Sequence, residues 1–163
     1  FLEGQNGTGY HDWCANTYYN LWTGKESTVT FGDQSASRIK TIYDPSPVGY
    51  KVPASAAFTG FTTDAKDAMT NPTQWNVKGP FSNGWYFYRD GTKTDAIFFL
   101  TTGRRVGTYP YEGVLDFVDR GIYWTDTQTG SRNSYCLLFS ETSINYAQSS
   151  DRVTGYCVRP VKE

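Results

Sequence analysis

From Trp75 onward the chain is a succession of short aromatic and β-branched runs separated by turn residues, a pattern that suits antiparallel strands. Trp85-Tyr86-Phe87-Tyr88 and Ala96-Ile97-Phe98-Phe99-Leu100 flank Arg89–Asp95, and the Asp90-Gly91 pair between them is hairpin chemistry. Further strands are expected at Ile122–Asp126, Tyr135–Phe139 and Gly155–Val161, with Thr129-Gly130-Ser131 turning the chain between the first two. Before Trp75, Ser27–Phe31 and Arg38–Tyr43 read as short strands, and Asp44-Pro45-Ser46-Pro47-Val48-Gly49 as a forced turn. Val114–Val118 fits either a strand or a helical turn. Helix is expected only at Ala54–Phe58 and at Thr63–Met69, where Thr62 or Thr63 caps the start and Asn71-Pro72 closes the end. The expected class is α+β: small antiparallel sheets, one or two short helices, and long loops at 103–120 and 140–153. Residues 1–36 read as irregular, and 1–163 as a single domain.

Aromatic residues make up 17% of the chain although only 38% is hydrophobic, so rings rather than aliphatics must build the core. Lys and Arg number 15 against 16 Asp and Glu, which leaves no basic excess for nucleic acid. No run approaches the roughly 20 apolar residues that cross a bilayer as a helix. Phe1 starts the chain and Met69 is its one methionine, so a processed or excised segment is expected. Low charge, with hydroxyl, amide and tyrosine groups solubilising the surface, points to an extracellular or cell-surface setting.

Catalytic groups are sparse. His11 is the one histidine, placed in a glycine-rich segment, so triad and Cys–His chemistry lack a base. His11, Cys14, Cys136 and Cys157 lack the paired spacing of a structural zinc site, and no metal is expected. Glu112, Asp116, Asp119, Asp126 and Glu141 are the carboxylates from which a glycosidase pair would have to come, and nothing singles out two of them. Three cysteines are expected as buried free thiols that pack as small hydrophobes; the alternative is one disulfide, for which Cys136 and Cys157 are the pair.

Binding chemistry is richer. Residues 103–157 concentrate Tyr, Trp, Arg, Asn and Asp, the composition of adaptable interfaces. The candidate face comprises Tyr109, Tyr111, Asp116, Tyr123, Trp124, Asp126, Arg132, Asn133, Asn145 and Arg152. Rings there would stack on sugars or on a protein partner, with amides and carboxylates hydrogen-bonding hydroxyls.

Several blocks resemble one known family. They are Tyr43-Asp44-Pro45-Ser46-Pro47-Val48-Gly49-Tyr50-Lys51-Val52-Pro53, Gly84-Trp85-Tyr86, and Phe98-Phe99 running to Gly103-Arg104. Gly121-Ile122-Tyr123-Trp124-Thr125-Asp126, Leu138-Phe139 and Gly155-Tyr156-Cys157-Val158-Arg159-Pro160-Val161 continue the series. Across about residues 39–163 they look like the Fibrobacter-type major paralogous domain of gut Bacteroidetes surface proteins. The resemblance implies a C-type-lectin-like fold, with two helices and a small sheet supporting a ligand face. It also implies membership of a larger exported, fimbrial or anchored protein, and it places the region that some relatives diversify at 104–157.

The chain departs from that pattern in places. Ser46 stands where the family often has Cys, and Cys157 where it often has Ser. The Glu-Pro-Asn and Gln-Pro-Asp motifs of calcium-dependent sugar-binding lectins are missing, and Trp124-Thr125-Asp126 lacks the Asn of their Trp-Asn-Asp element. No cofactor is therefore expected, and calcium lacks its motif. The expected function is a non-catalytic, adhesin-like module that binds a cell-surface glycan or protein. The alternatives are a carbohydrate-active or modifying enzyme, and a structural domain packed against the rest of a larger exported protein.

Overall fold

Successive residues of a strand point to opposite faces, so in the aromatic run 85–88 Trp85 and Phe87 are buried while Tyr86 is exposed and Tyr88 half-buried. The computed structural model describes residues 22–24, 39–61, 77–89, 92–106, 113–130 and 132–163. Among these, strands take 46% and helix 4%. The strands in chain order are β1 (Thr23–Gly24), β2 (Ile39–Lys40), β3 (Tyr50–Lys51), β4 (Val77–Lys78), β5 (Gly84–Tyr88) and β6 (Ala96–Leu100). They continue with β7 (Arg104–Arg105), β8 (Leu115–Asp116), β9 (Gly121–Gln128), β10 (Asn133–Phe139), β11 (Ile144–Asp151) and β12 (Val161–Lys162).

The α+β, C-type-lectin-like expectation is overturned. The described residues are nearly all β, with no helix of seven residues or more. The helical segment expected at Ala54–Phe58 is a single 3-10 turn, Ser55–Phe58, with no side-chain cap. Four residues cannot offset the nucleation cost of an α-helix, and the turn is held instead by Ser55 and Phe58 buried under the sheets. The helix expected at Thr63–Met69 and the strand at Ser27–Phe31 lie outside the described residues, as do His11, Cys14 and the Asp90-Gly91 turn.

Two three-stranded antiparallel sheets form the body, ordered β4-β5-β6 and β11-β10-β9. Three two-stranded pairs, β1-β2, β3-β12 and β7-β8, complete the fold. Between the main sheets lies an aromatic core of Phe58, Val77, Trp85, Phe87, Phe99, Tyr123, Leu137, Phe139 and Ile144. Phe61 stacks on Phe87 at 3.9 Å between centroids, and Phe99 meets Phe87 and Tyr123 edge to face, arrangements that add to area burial. Ile122, Trp124 and Cys136 form a second cluster, covered by Trp22, Phe117, Leu138, Tyr156 and Val158. With a cluster on each face, every residue of β9 is buried.

The expected long loop at 140–153 is mostly strand, since β11 runs along β10 with Asn133 opposite Asp151 and Phe139 opposite Ile144. Its Asn, Gln and Ser side chains lack apolar alternation because β11 has one open edge and mostly half-buried positions. Conversely, Gly155–Val161 is not a continuous strand. It touches its neighbours through single bridges, Arg105 to Gly155 and Tyr123 to Cys157, before β12 pairs with β3.

Cys136 and Cys157 are free, so the possible disulfide between them does not form, and of the two only Cys136 is a buried thiol. Cys136 lies opposite Trp124 on one edge of β9, whereas Cys157 bridges Tyr123 on the other edge. Two strand spacings of about 4.8 Å exceed the roughly 7 Å within which a disulfide closes.

Candidate functional site

Three chain reversals converge at one end of the main sheets. They are the bend before β5, the turn 117–120 leading into β9, and the turn 140–143 between β10 and β11. Between them lies a cleft of about 380 Å³ lined by Phe81, Asp119, Arg120, Ser140, Glu141, Thr142 and Ser143. That volume lies within the range of small-ligand sites.

Each wall is fastened to the core. The Ser140 N–H donates to the Ser143 carbonyl at 2.8 Å, and the two hydroxyls pair at 2.9 Å. Indole Nε1–H of buried Trp85 donates to the Ser140 carbonyl at 3.0 Å, tying this turn to β5. The Trp85 ring also meets Phe81 at 5.3 Å, so one residue anchors two walls.

The turn at 117–120 is built around a cation stack. Phe117 has φ +52, a left-handed conformation costly for a bulky side chain. Guanidinium groups flank its ring, Arg104 at 4.1 Å and Arg120 at 4.3 Å from the centroid. Asp116 relieves the repulsion between the two cations: its carboxylate accepts from Arg104 Nη2 at 3.0 Å and from the Phe117 N–H at 2.7 Å. The Arg104 hydrogen bond, followed by that of the Phe117 amide, lowers the Asp116 pKa below its ordinary 3.8. Arg104 is thereby neutralised, while Arg120, held against the ring, reaches the cleft.

Only part of the face expected from sequence gathers here. Tyr123 is 5% exposed, its hydroxyl donating to the Leu100 carbonyl at 2.7 Å. Trp124, also 5% exposed, donates to the Thr154 carbonyl and packs on Tyr156 at 4.4 Å. Asp126 is buried too, accepting from the Thr127 hydroxyl while its N–H donates to the Pro53 carbonyl. These three are core residues because β9 is covered on both faces, and their assignment to a ligand face is corrected. Tyr109 and Tyr111 lie outside the described residues.

The other five divide by position. Asp116 supports the 117–120 turn, and Asn145 lies opposite Leu138, close to the 140–143 turn, where its side chain binds Gln148 and the Ala147 N–H. Arg132, Asn133 and Arg152 sit at the far end of the β10–β11 hairpin, where Asn133 donates to Asp151 and the Arg152 N–H to the Arg132 carbonyl. Six residue steps along β10 at about 3.3 Å each separate the two ends by about 20 Å.

Phe81, Arg120 and the hydroxyls of 140–143 were missed from sequence. Asp119 and Glu141 are two of the five carboxylates that nothing in the sequence distinguishes. The signal that would have found them is the pair of reversals at 117–120 and 140–143, which meet only once β10 is seen beside β9. Among the described residues no group of three or more His, Cys, Asp or Glu side chains is placed to share a metal. No protein family, curated protein or solved structure matches the chain.

Proposed function

We propose that this chain is a non-catalytic ligand-binding module, adhesin-like, of a bacterial surface or fimbrial protein, and that it takes a small polyhydroxylated ligand, a glycan terminus, into the cleft between 117–120 and 140–143. One observation carries the reading: the cleft brings carboxylate acceptors (Asp119, Glu141), a guanidinium donor (Arg120), three hydroxyls and one ring (Phe81) to a single concavity. Vicinal sugar hydroxyls need donors and acceptors side by side, and the apolar face of the sugar needs a ring. Placement on a surface protein is supported by the low charge, 19% of residues, and by the hydroxyl, amide and tyrosine groups that solubilise the chain.

A second reading, a structural domain packed against the rest of a larger exported protein, is favoured by the segment 39–50. Ile42 and Val48 there are 91% and 98% exposed, beside exposed Ile39, Tyr43 and Tyr50. The segment is not loose. Lys40 Nζ donates to the carbonyls of Ser46, Pro47 and Tyr50, and buried Asp44 accepts from the N–H groups of Ser46 and Val52. A rigid loop that holds apolar side chains in water suits a protein contact.

A glycan array, run beside binding to host and bacterial surface extracts, tests the first reading. Discrete glycan signals are expected, weakened about tenfold by Arg120→Ala or Glu141→Ala and unchanged by Arg132→Ala at the far end. Folded protein silent on every glycan and extract would overturn it in favour of the packing reading. Release of a reducing sugar from a bound glycan, abolished by Glu141→Gln, would convert the module into a hydrolase.

A further inference from the structure

Asn145 and Gln148 stand three residues apart on β11, and residues at that spacing normally face opposite sides of a sheet. Here they share a side, because the strand carries a bulge. Leu138 pairs with Asn145 and Cys136 with Gln148, so Tyr146 and Ala147 together oppose Leu137 alone. The extra residue shifts the parity by one, and the two amides meet: Asn145 Nδ2 donates to Gln148 Oε1 at 3.1 Å.

From there the pair reaches the backbone on both sides. Asn145 Oδ1 accepts the Ala147 N–H at 3.0 Å, and Gln148 Nε2 donates to the Ser149 carbonyl at 3.0 Å. Chemistry fixes this order. The Ala147 N–H must meet an oxygen, which turns Nδ2 toward Gln148 Oε1 and leaves Nε2 for the carbonyl. Ser149 belongs to the open edge. The Arg152 N–H donates to the Arg132 carbonyl, so alternation along the antiparallel ladder makes Ser134–Ser150 and Cys136–Gln148 the hydrogen-bonded pairs. The N–H and carbonyl of Ser149 therefore point away from β10, to the side where no described strand lies. Nearby, the Tyr146 carbonyl accepts the Ser55 hydroxyl at 3.2 Å. Lys and Pro, the usual means of blunting an edge, are absent from Ile144–Asp151.

We propose that the Asn145–Gln148 amide pair is a latch on the edge of β11, and that the strand it turns away is β11 of a second copy of this chain. The latch occupies the outward Ser149 carbonyl and pins the bulge at Ala147, which bends the strand away from a straight partner. A second copy fits the edge once it is uncovered. Two β11 strands set antiparallel about a two-fold axis offer each other the same donors and acceptors, and join two three-stranded sheets into one. Asp151, the one charged residue of the strand, lies at its end, so pairing centred on the strand keeps the two carboxylates apart. Neither amide lines the cleft, and the proposal does not depend on the cleft binding anything.

Sedimentation velocity over a concentration series, on the parent and on the Asn145→Ala, Gln148→Ala double variant, tests the proposal. The double variant should form a dimer whose fraction rises with concentration. Adding Ser149→Pro removes the outward N–H without touching the β10 ladder, and should return the double variant to a monomer. The parent should form no dimer that Ser149→Pro dissolves. In dilute Asn145→Ala the Ala147 amide should exchange with solvent about tenfold faster than in the parent. If circular dichroism shows the double variant unfolded, Gln148→Ala alone carries the test. It frees the Ser149 carbonyl only, and a weaker dimer with the same sensitivity to Ser149→Pro is expected. Folded latch variants that stay single at every concentration, a dimer indifferent to Ser149→Pro, or a parent that pairs through this edge would each overturn the proposal. Unchanged exchange at Ala147 would do so as well.

Discussion

Cys136 and Cys157 show how much a single side chain's chemistry depends on which side of a strand it occupies. Cys136 is buried, its thiol donating to the Gln148 carbonyl at 3.4 Å, and burial pushes its pKa up to about 12. Cys157 is exposed. In a Cys14→Ser background, a colorimetric thiol reagent at pH 8 should label one thiol at once and the second only in denaturant. Two fast thiols, or none, would contradict the placement. Apolar neighbours were enough to put both cysteines in strand-like runs from sequence. Their separation by β9 was not legible, because the bridge from Tyr123 to Cys157 joins residues far apart in the chain. The same holds for Asp126 and Thr127. Polar letters suggested a surface, yet Thr127 Oγ1 accepts the Ser55 N–H from 72 residues away, and such long-range partners make polar burial tolerable.

Among the elements, the β5–β6 hairpin was the best foretold, since two aromatic runs around Asp90-Gly91 carry their own pairing information. Of these runs only Trp85 and Phe87 in the first and Phe99 in the second are core, however. Ring after ring hides the alternation that separates Trp85 and Phe87 from Tyr86 and Tyr88. β11 was unreadable for the opposite reason: an edge strand rich in Asn, Gln and Ser has no apolar period. Close backbone approach decides which positions in these strands tolerate change. Gly84 has φ +150, and a Cβ there would fall 2.1 Å from the Phe99 carbonyl oxygen, a backbone atom that cannot swing away. At Gly121 a Cβ would instead meet the side-chain ring of buried Phe139, its partner in β10. Gly84→Ala should therefore cost about 2 kcal/mol or more in urea unfolding, and an Ala variant as stable as the parent would refute the register given for β5 and β6.

For the molecule as a whole, each of the two core clusters contains one group that titrates in alkali. Tyr123 belongs to the aromatic core, where burial raises its pKa from 10.0 to about 12; Cys136 belongs to the second cluster and rises from 9.0 to about 12. A folded-state pKa above the unfolded value means that the unfolded chain releases its proton first. The stability these groups provide is complete below pH 9 and is lost as pH climbs from there through about 12. Urea midpoints measured in steps across that window should fall. The fall above pH 10 should be shallower in Tyr123→Phe, and above pH 9 in Cys136→Ala. A Tyr123→Phe profile parallel to that of the parent would show that the phenol ionises freely in the folded state. The free edge of β9 is closed by the segment that follows Gly155: the Trp124 N–H donates to the Cys157 carbonyl, and Val161 then pairs with Lys51 in β3. Synthesis runs from the other end. Until residues 157–162 have been made, the Trp124 N–H lacks its carbonyl and β3 its paired strand, so β9 and β3 stay partly open while the strands before them form. A chain of this design stays threadable, and open to pairing with its neighbours, for as long as that closing strap is withheld.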